Sequence, residues 1–182
     1  MKKTKTLVLM AVFVALNYVG TMVNIPFTFG GAKTMIHFGN VFCFLGAFCL
    51  GGFSGGLSAA IGQSLFDIFN GWGPYAPSTF ILKLIMGLIA GYSYKLLSTK
   101  TKMNNLVCLI ISAVAATLGN FILDPIFASY LTHKYILGLE ADTAMIVAGW
   151  DSFAVIFNGL IASAISIALF KVLGPILKKF EK

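Results

Sequence analysis

The chain has 182 residues, 58% of them hydrophobic and only 10% charged, with a formal net charge of +7. Soluble domains carry about 25% charged residues, so this composition, with a mean hydropathy of +0.91, excludes a water-soluble globular protein and describes an integral membrane protein. The basic residues are all lysines, set in tails and connections between apolar runs, which is a topology signal and not a nucleic-acid-binding face.

In chain order, MKKTKT followed by LVLMAVFVAL looks like a secretory signal. No small-x-small cleavage site follows and further apolar segments do, so Leu7–Val23 is read as a retained first span. Within it, Ala11 and Ala15 stand four apart and form a small face that another helix can approach closely. The connection Asn24–His37 carries Pro26, Gly30, Gly31 and Lys33 and reads as a loop. Val41–Phe53 and Gly55–Phe69 come next. A single helix over Val41–Phe69 would be about 43 Å long, so the glycine-rich stretch Gly51–Gly56 is expected to turn the chain between two short helices. Ala76–Tyr94 follows the tight loop NGWGPYAP. Asn105–Tyr130, a long connection Leu131–Gly149, and Trp150–Val172 complete the chain. Cys43, Cys49 and Cys108 lie in apolar stretches without metal-ligand spacing and read as small buried hydrophobes.

These elements predict an all-α integral membrane protein over residues 1–182, a single domain built as a six-transmembrane-helix bundle with both termini cytoplasmic. On that topology every lysine except Lys33, Lys83 and Lys134 falls on the cytoplasmic side, as the positive-inside rule requires.

Lys83 lies well inside the fourth span, where a lysine costs about 3 kcal/mol on insertion scales. Measured down from the outer helix ends at roughly 1.5 Å per residue, it sits about 10 Å deep. Asp67 lies about 4 Å deep, Asp124 about 9 Å, Asn158 about 12 Å and Asn120 about 15 Å on the same reckoning. Gln63 and Asp67 share a helix face, as do Asn120 and Asp124, and Asp151 and Asn158 nearly so. The expected arrangement is a polar cup open to the outside above a mostly dry plug. Such a cup suits capture of a small polar molecule. A continuous pore would need polar lining through both halves.

Each residue also has a structural reading. Asp67 could cap the Gly71 turn, Lys83 could pair with Asp67 or Asp124, and Asp124 could serve backbone groups freed by Pro125. Asn120 and Asn158 could be interhelical hydrogen-bonding groups. Trp72, Tyr75 and Trp150 could form an interfacial aromatic belt, and His37 could be an ordinary loop histidine.

The layout, the AVFVA of the first span and the block from His37 to Gly91 together resemble the substrate-binding S-components of energy-coupling factor (ECF) vitamin transporters, most closely their riboflavin-transporter-like branch. The matching elements are Gly39–Asn40, the glycine turn Gly51–Gly56, Ser64–Asp67, the YxPxTFxxK stretch Tyr75–Lys83, and Gly87–Gly91. The resemblance implies a multi-pass protein of the bacterial cell membrane that binds a vitamin or vitamin precursor from outside. It implies docking through Ala11 and Ala15 onto a transmembrane coupling subunit, which works with two ATPase subunits. Substrate contacts are expected from His37, Asn40, Asp67, Tyr75, Lys83, Asn120, Asp124, Trp150 and Asn158. No cofactor is expected on this chain. It lacks GxxxxGK[ST], so ATP is expected to be hydrolysed by the partner subunits. The rival readings are a stand-alone facilitator or channel, and an intramembrane lipid-modifying enzyme.

Overall fold

The computed structural model describes residues 3–29 and 32–181; Met1, Lys2, Gly30, Gly31 and Lys182 lie outside the described residues. Six helices form the bundle: α1 (Lys3–Met22), α2 (Gly39–Leu50), α3 (Gly52–Phe69), α4 (Ala76–Lys100), α5 (Asn105–Leu123) and α6 (Ala141–Glu181). Among the described residues, the segments Lys3–Met22, Gly73–Lys100, Asn105–Ile136 and Ala141–Gly174 are long and apolar enough to cross a membrane. The shortest, α2, has 12 residues and rises about 18 Å, less than the roughly 30 Å of a hydrocarbon core. Gly51 separates α2 from α3 at φ +89°, a conformation that favours glycine, so the expected glycine turn is present and falls at its first residue.

The bundle is helical as expected, and two of its connections differ from the expectation. The stretch read as the loop Asn24–His37 contains a two-stranded antiparallel hairpin, β1 (Asn24–Phe29) and β2 (Ala32–His37), with Asn24 opposite His37 and Phe29 opposite Ala32. Its strands are rich in β-branched and aromatic residues and flank a Gly-Gly pair, a short-range hairpin signal. The connection expected over Leu131–Gly149 is largely helical. Past Leu123 the chain continues in wide π-type turns over Asp124–Tyr130 and Thr132–Ile136. Pro125 lacks the amide proton an ordinary α-turn would use there, and i→i+5 bonding such as Leu137 N–H to the Thr132 carbonyl takes over. α6 then begins at Ala141, with Asp142 in its first turn against the positive end of the helix dipole.

Packing is organised around α3, whose buried face is mostly Gly, Ala and Ser. A Cβ on Gly62 would strike the α1 backbone, one on Gly55 the α2 backbone, and one on Gly87 of α4 the backbone of Gly56. Gly91 stands against Gly52 in the same way. Small residues spaced four apart let the backbones approach this closely. Near the far ends of α2, α4 and α6, Phe48, Tyr94 and Phe170 meet edge to face with ring centroids 5.4–5.8 Å apart. With Phe13, Phe44, Met86 and Leu109 they form a dry core. The polar residues gather at the hairpin end.

Gly87→Val should lower unfolding stability by about 3 kcal/mol, the upper range for overpacking, measured by chemical denaturation in detergent. Gly149→Val, where nothing lies within 4 Å of the added carbon, should be close to neutral. Equal small losses at both positions would refute the backbone contact.

Candidate functional site

A cavity of about 120 Å³ opens at the hairpin end of the bundle. The start of α2, the ends of α3 and α5, the beginning of α4 and the middle of α6 wall it, and β2 runs across it. His37, Asn40, Asp67, Tyr75, Lys83, Asn120, Asp124 and Asn158 all line it, so residues expected from separate segments do converge. Trp150 is not among the lining residues. Helical geometry explains this: Asp151, Ala154, Val155 and Asn158 share the face that lines the cavity, whereas Trp150, Phe153 and Phe157 share the exposed face. The Trp150 ring instead stands 5.6 Å from Phe153. Trp72, equally compatible with an interfacial belt, does line the cavity and carries the Lys33 ammonium 4.3 Å above its ring.

The wall is built from hydrogen bonds between elements. The Gln63 amide donates to Asn17 Oδ1 at 3.2 Å and to Asn40 Oδ1 at 3.5 Å, joining α3 to α1 and α2. Asn17 in turn donates to the Phe13 carbonyl on its own helix. Asn158 clips the hairpin to α6: its Oδ1 accepts from the His37 backbone N–H at 2.9 Å and its amide donates to the Met35 carbonyl at 2.9 Å. The His37 ring accepts the Gly39 N–H on Nδ1 at 3.1 Å. Burial chiefly, and then the Lys83 charge, push the His37 pKa down to about 3, so the imidazole is neutral at physiological pH and keeps that lone pair.

A second chain of polar groups, absent from the expected site, runs along the opposite wall. His133 Nδ1 lies 2.7 Å from the Ser129 carbonyl, which can only accept, so Nδ1 carries the proton. Nε2 is then the acceptor for the Tyr75 hydroxyl at 3.1 Å. The Ser129 hydroxyl donates to Asp151 Oδ2. His133 was expected in a loop, but the π-type turns carry it inward, where it is 3% exposed. Its signal in the sequence was Pro125 followed by a serine and a histidine four residues apart, a helical spacing that a loop would not need.

Lys83 is 8% exposed. It shares the cavity wall with His37, Asp67 and Asp124, without a contact ion pair among the described residues. Three buried oxygens in this wall have no hydrogen-bond partner: Asp67 Oδ2, Asn120 Oδ1 and Asp151 Oδ1. Among the described residues no group of three or more His, Cys, Asp or Glu side chains could hold a metal ion. Away from the cavity, Ala11 and Ala15 lie exposed on α1 with Val8, Val12 and Val19, opposite the buried Phe13, Asn17 and Thr21.

The molecule is a bundle of short and long apolar helices with a polar cavity beneath a hairpin. The profile of the family "ECF-type riboflavin transporter, S component" matches residues 1–174, and the chain belongs to that family. A solved structure of the S component of a bacterial ECF transporter is similar in fold, with a TM-score of 0.69 over 97% of this chain and 99% of that one at 22% identity. No curated protein matches the chain in sequence. The family comprises non-enzymatic, multi-pass membrane subunits, which removes the lipid-modifying enzyme as a reading.

Asn158→Ala should free β2 from α6 and lower stability by about 1–3 kcal/mol, since two buried backbone groups lose their partners. Hydrogen exchange at the His37 amide should accelerate more than at amides of α3. Unchanged protection at His37 would refute the clip.

Proposed function

We propose that this chain is the substrate-capturing subunit of an ECF-type transporter, taking up a vitamin or vitamin precursor from outside the cell for ATP-driven import. The observation that carries this reading is the convergence of eight expected residues, drawn from the hairpin and from helical segments along the chain, on one cavity. In this reading all six helices cross or complete the membrane layer as one domain with both termini in the cytoplasm, and the hairpin faces outward over the cavity. Partners supply energy: a transmembrane coupling subunit docks on the exposed Ala11 and Ala15 face of α1, and two ATPase subunits hydrolyse ATP, with no cofactor on this chain. A lone channel fits less well, because the Phe48, Tyr94 and Phe170 cluster and the Gly-to-Gly contacts fill the other end of the bundle.

Native mass spectrometry of the protein purified from its own host should detect a retained small molecule. Asn120→Ala and Asp124→Ala should each weaken its binding at least tenfold, or about 1.4 kcal/mol, in protein that still assembles with its partners. Normal affinity in both variants would refute the cavity as the binding site. Ala11→Trp should abolish co-purification with the ATPase module and cellular uptake while leaving ligand affinity intact. Uptake that survives this bulky change would exclude the α1 face as the docking surface.

A further inference from the structure

The hairpin end of the bundle carries a second concavity of different character. A groove of about 380 Å³ runs between the first turns of α4 and the π-type turns that follow α5. Pro77, Ile81 and Leu82 line one side of it, and Phe127, Leu131 and Tyr135 the other. Ile81, Phe127 and Tyr135 are all exposed. The Ser78 hydroxyl, which also lies here, donates to the Tyr75 carbonyl at 2.8 Å. Its hydrogen is therefore spent within the protein, and the groove presents an apolar wall.

A cation stands beside this wall. The Lys134 ammonium donates to the Tyr130 hydroxyl at 3.2 Å and lies 5.2 Å from the centre of the Tyr135 ring, itself part of the groove. Contact with the faces of both tyrosines holds a long, flexible side chain in one place. Lys134 pairs with no carboxylate among the described residues, and an ammonium has three hydrogens to give. The lysine falls two residues from the end of the apolar span Asn105–Ile136. Lysine and tyrosine at such a position lie at headgroup level, with their apolar stems in the hydrocarbon.

A groove of apolar side chains ending at an unneutralised ammonium matches a molecule with an apolar tail and an anionic head. A second protein helix matches it less well. Helices associate in hydrocarbon through small-residue faces and shared hydrogen bonds, and the six residues named on this wall are Pro, Ile, Leu, Phe and Tyr. The exposed Ala11 and Ala15 are on α1, which packs chiefly on α2 and α3 and forms no part of the groove.

We propose that this groove is a binding site for one anionic phospholipid of the surrounding leaflet, with an acyl chain laid against α4 and the phosphate on Lys134. In the topology proposed above that leaflet is the outer one. Leu82 lines both the groove and the polar cavity, so the acyl chain braces the cavity wall from the lipid side.

Native mass spectrometry of the delipidated full chain in detergent tests this, with phosphatidylglycerol and phosphatidylcholine of the same acyl chains titrated separately. Phosphatidylglycerol should bind roughly fivefold tighter, the effect expected of one lysine near an anionic surface. Lys134→Gln should remove the preference and Lys134→Arg should keep it. Lys102→Gln, at an exposed lysine outside the groove, should leave it unchanged. Ile81→Trp, which fills the groove, should weaken both lipids. Millimolar inorganic phosphate should not displace the bound lipid. Hydrogen exchange should place the lipid independently: phosphatidylglycerol should slow the amides of residues 127–136 more than those of α1, and this difference should vanish in Lys134→Gln. Equal affinity for the two lipids, or a preference that survives Lys134→Gln, overturns the proposal. So does displacement by phosphate, which would leave an anion site without a chain. A two-copy species that Ile81→Trp abolishes would assign the groove to a second molecule of this chain and overturn it as well. The capture role is decided separately, by the small molecule retained from the host.

Discussion

The bundle depends on α3 lying in direct backbone contact with its neighbours. Gly62 toward α1, Gly55 toward α2, and Gly52 and Gly56 toward Gly91 and Gly87 of α4 leave no room for side chains between these helices. In hydrocarbon there is little hydrophobic gain in moving apolar side chains from lipid to protein, so helices associate through such close packing and through hydrogen bonds. The two devices are divided along the axis. The Gly52–Gly91 and Gly56–Gly87 contacts and the aromatic cluster close one end. At the other, helices are joined by side-chain amides and by the Ser64 hydroxyl bond to the Ala76 carbonyl at 3.1 Å, and there the polar cavity remains. Asp67 and Lys83, on the two helices that approach most closely, face the same space for this reason.

That cavity holds more ionisable groups than its own hydrogen bonds can satisfy. A core selected for stability alone would have paired Lys83 with a carboxylate or replaced both by apolar side chains, since a buried pair rarely outperforms well-packed hydrophobes. Instead three carboxylates and two ammonium groups share the wall, and Asp67, Asp151 and Asn120 each keep one oxygen without a hydrogen-bond partner.

Much of this was legible in the sequence. Charges and amides inside apolar runs are costly wherever they face lipid, so Lys83, Asp124, Asn120 and Asn158 had to turn toward one another, and depth counted along ideal helices sufficed to group them. Gly51–Gly56 announced the turn because only a break could fit two helices where one was too long. The hairpin was missed although Gly30 and Gly31 stand between two β-branched and aromatic runs, because a membrane reading assigns any short polar stretch between spans to a loop. Trp150, expected from the resemblance, stands off the cavity because Asp151 takes the inward face and a helix turns about 100° between adjacent residues. His133 and Ser129 escaped because apolar periodicity stops at Pro125, whereas the chain goes on in wider turns. Such π-type turns recur at functional sites, and this one brings a histidine, a serine and, through Tyr75, the start of α4 into one hydrogen-bonded wall.

One helix connects the cavity with the exposed surface. α1 turns Ala11 and Ala15 outward, while its opposite face places Thr21 on the cavity wall and Asn17 against Gln63, which reaches Asn40 at the cavity floor. Phe38 N–H bonds to the Gly20 and Val23 carbonyls, tying the end of the hairpin to the same helix. In the capture role proposed above, a molecule in the cavity would meet one side of α1 and the coupling subunit the other. α1 is fixed to α3 both by backbone contact at Gly62 and by the Asn17–Gln63 hydrogen bond, so one firmly seated helix carries part of the cavity wall on one face and the exposed Ala11 and Ala15 on the other.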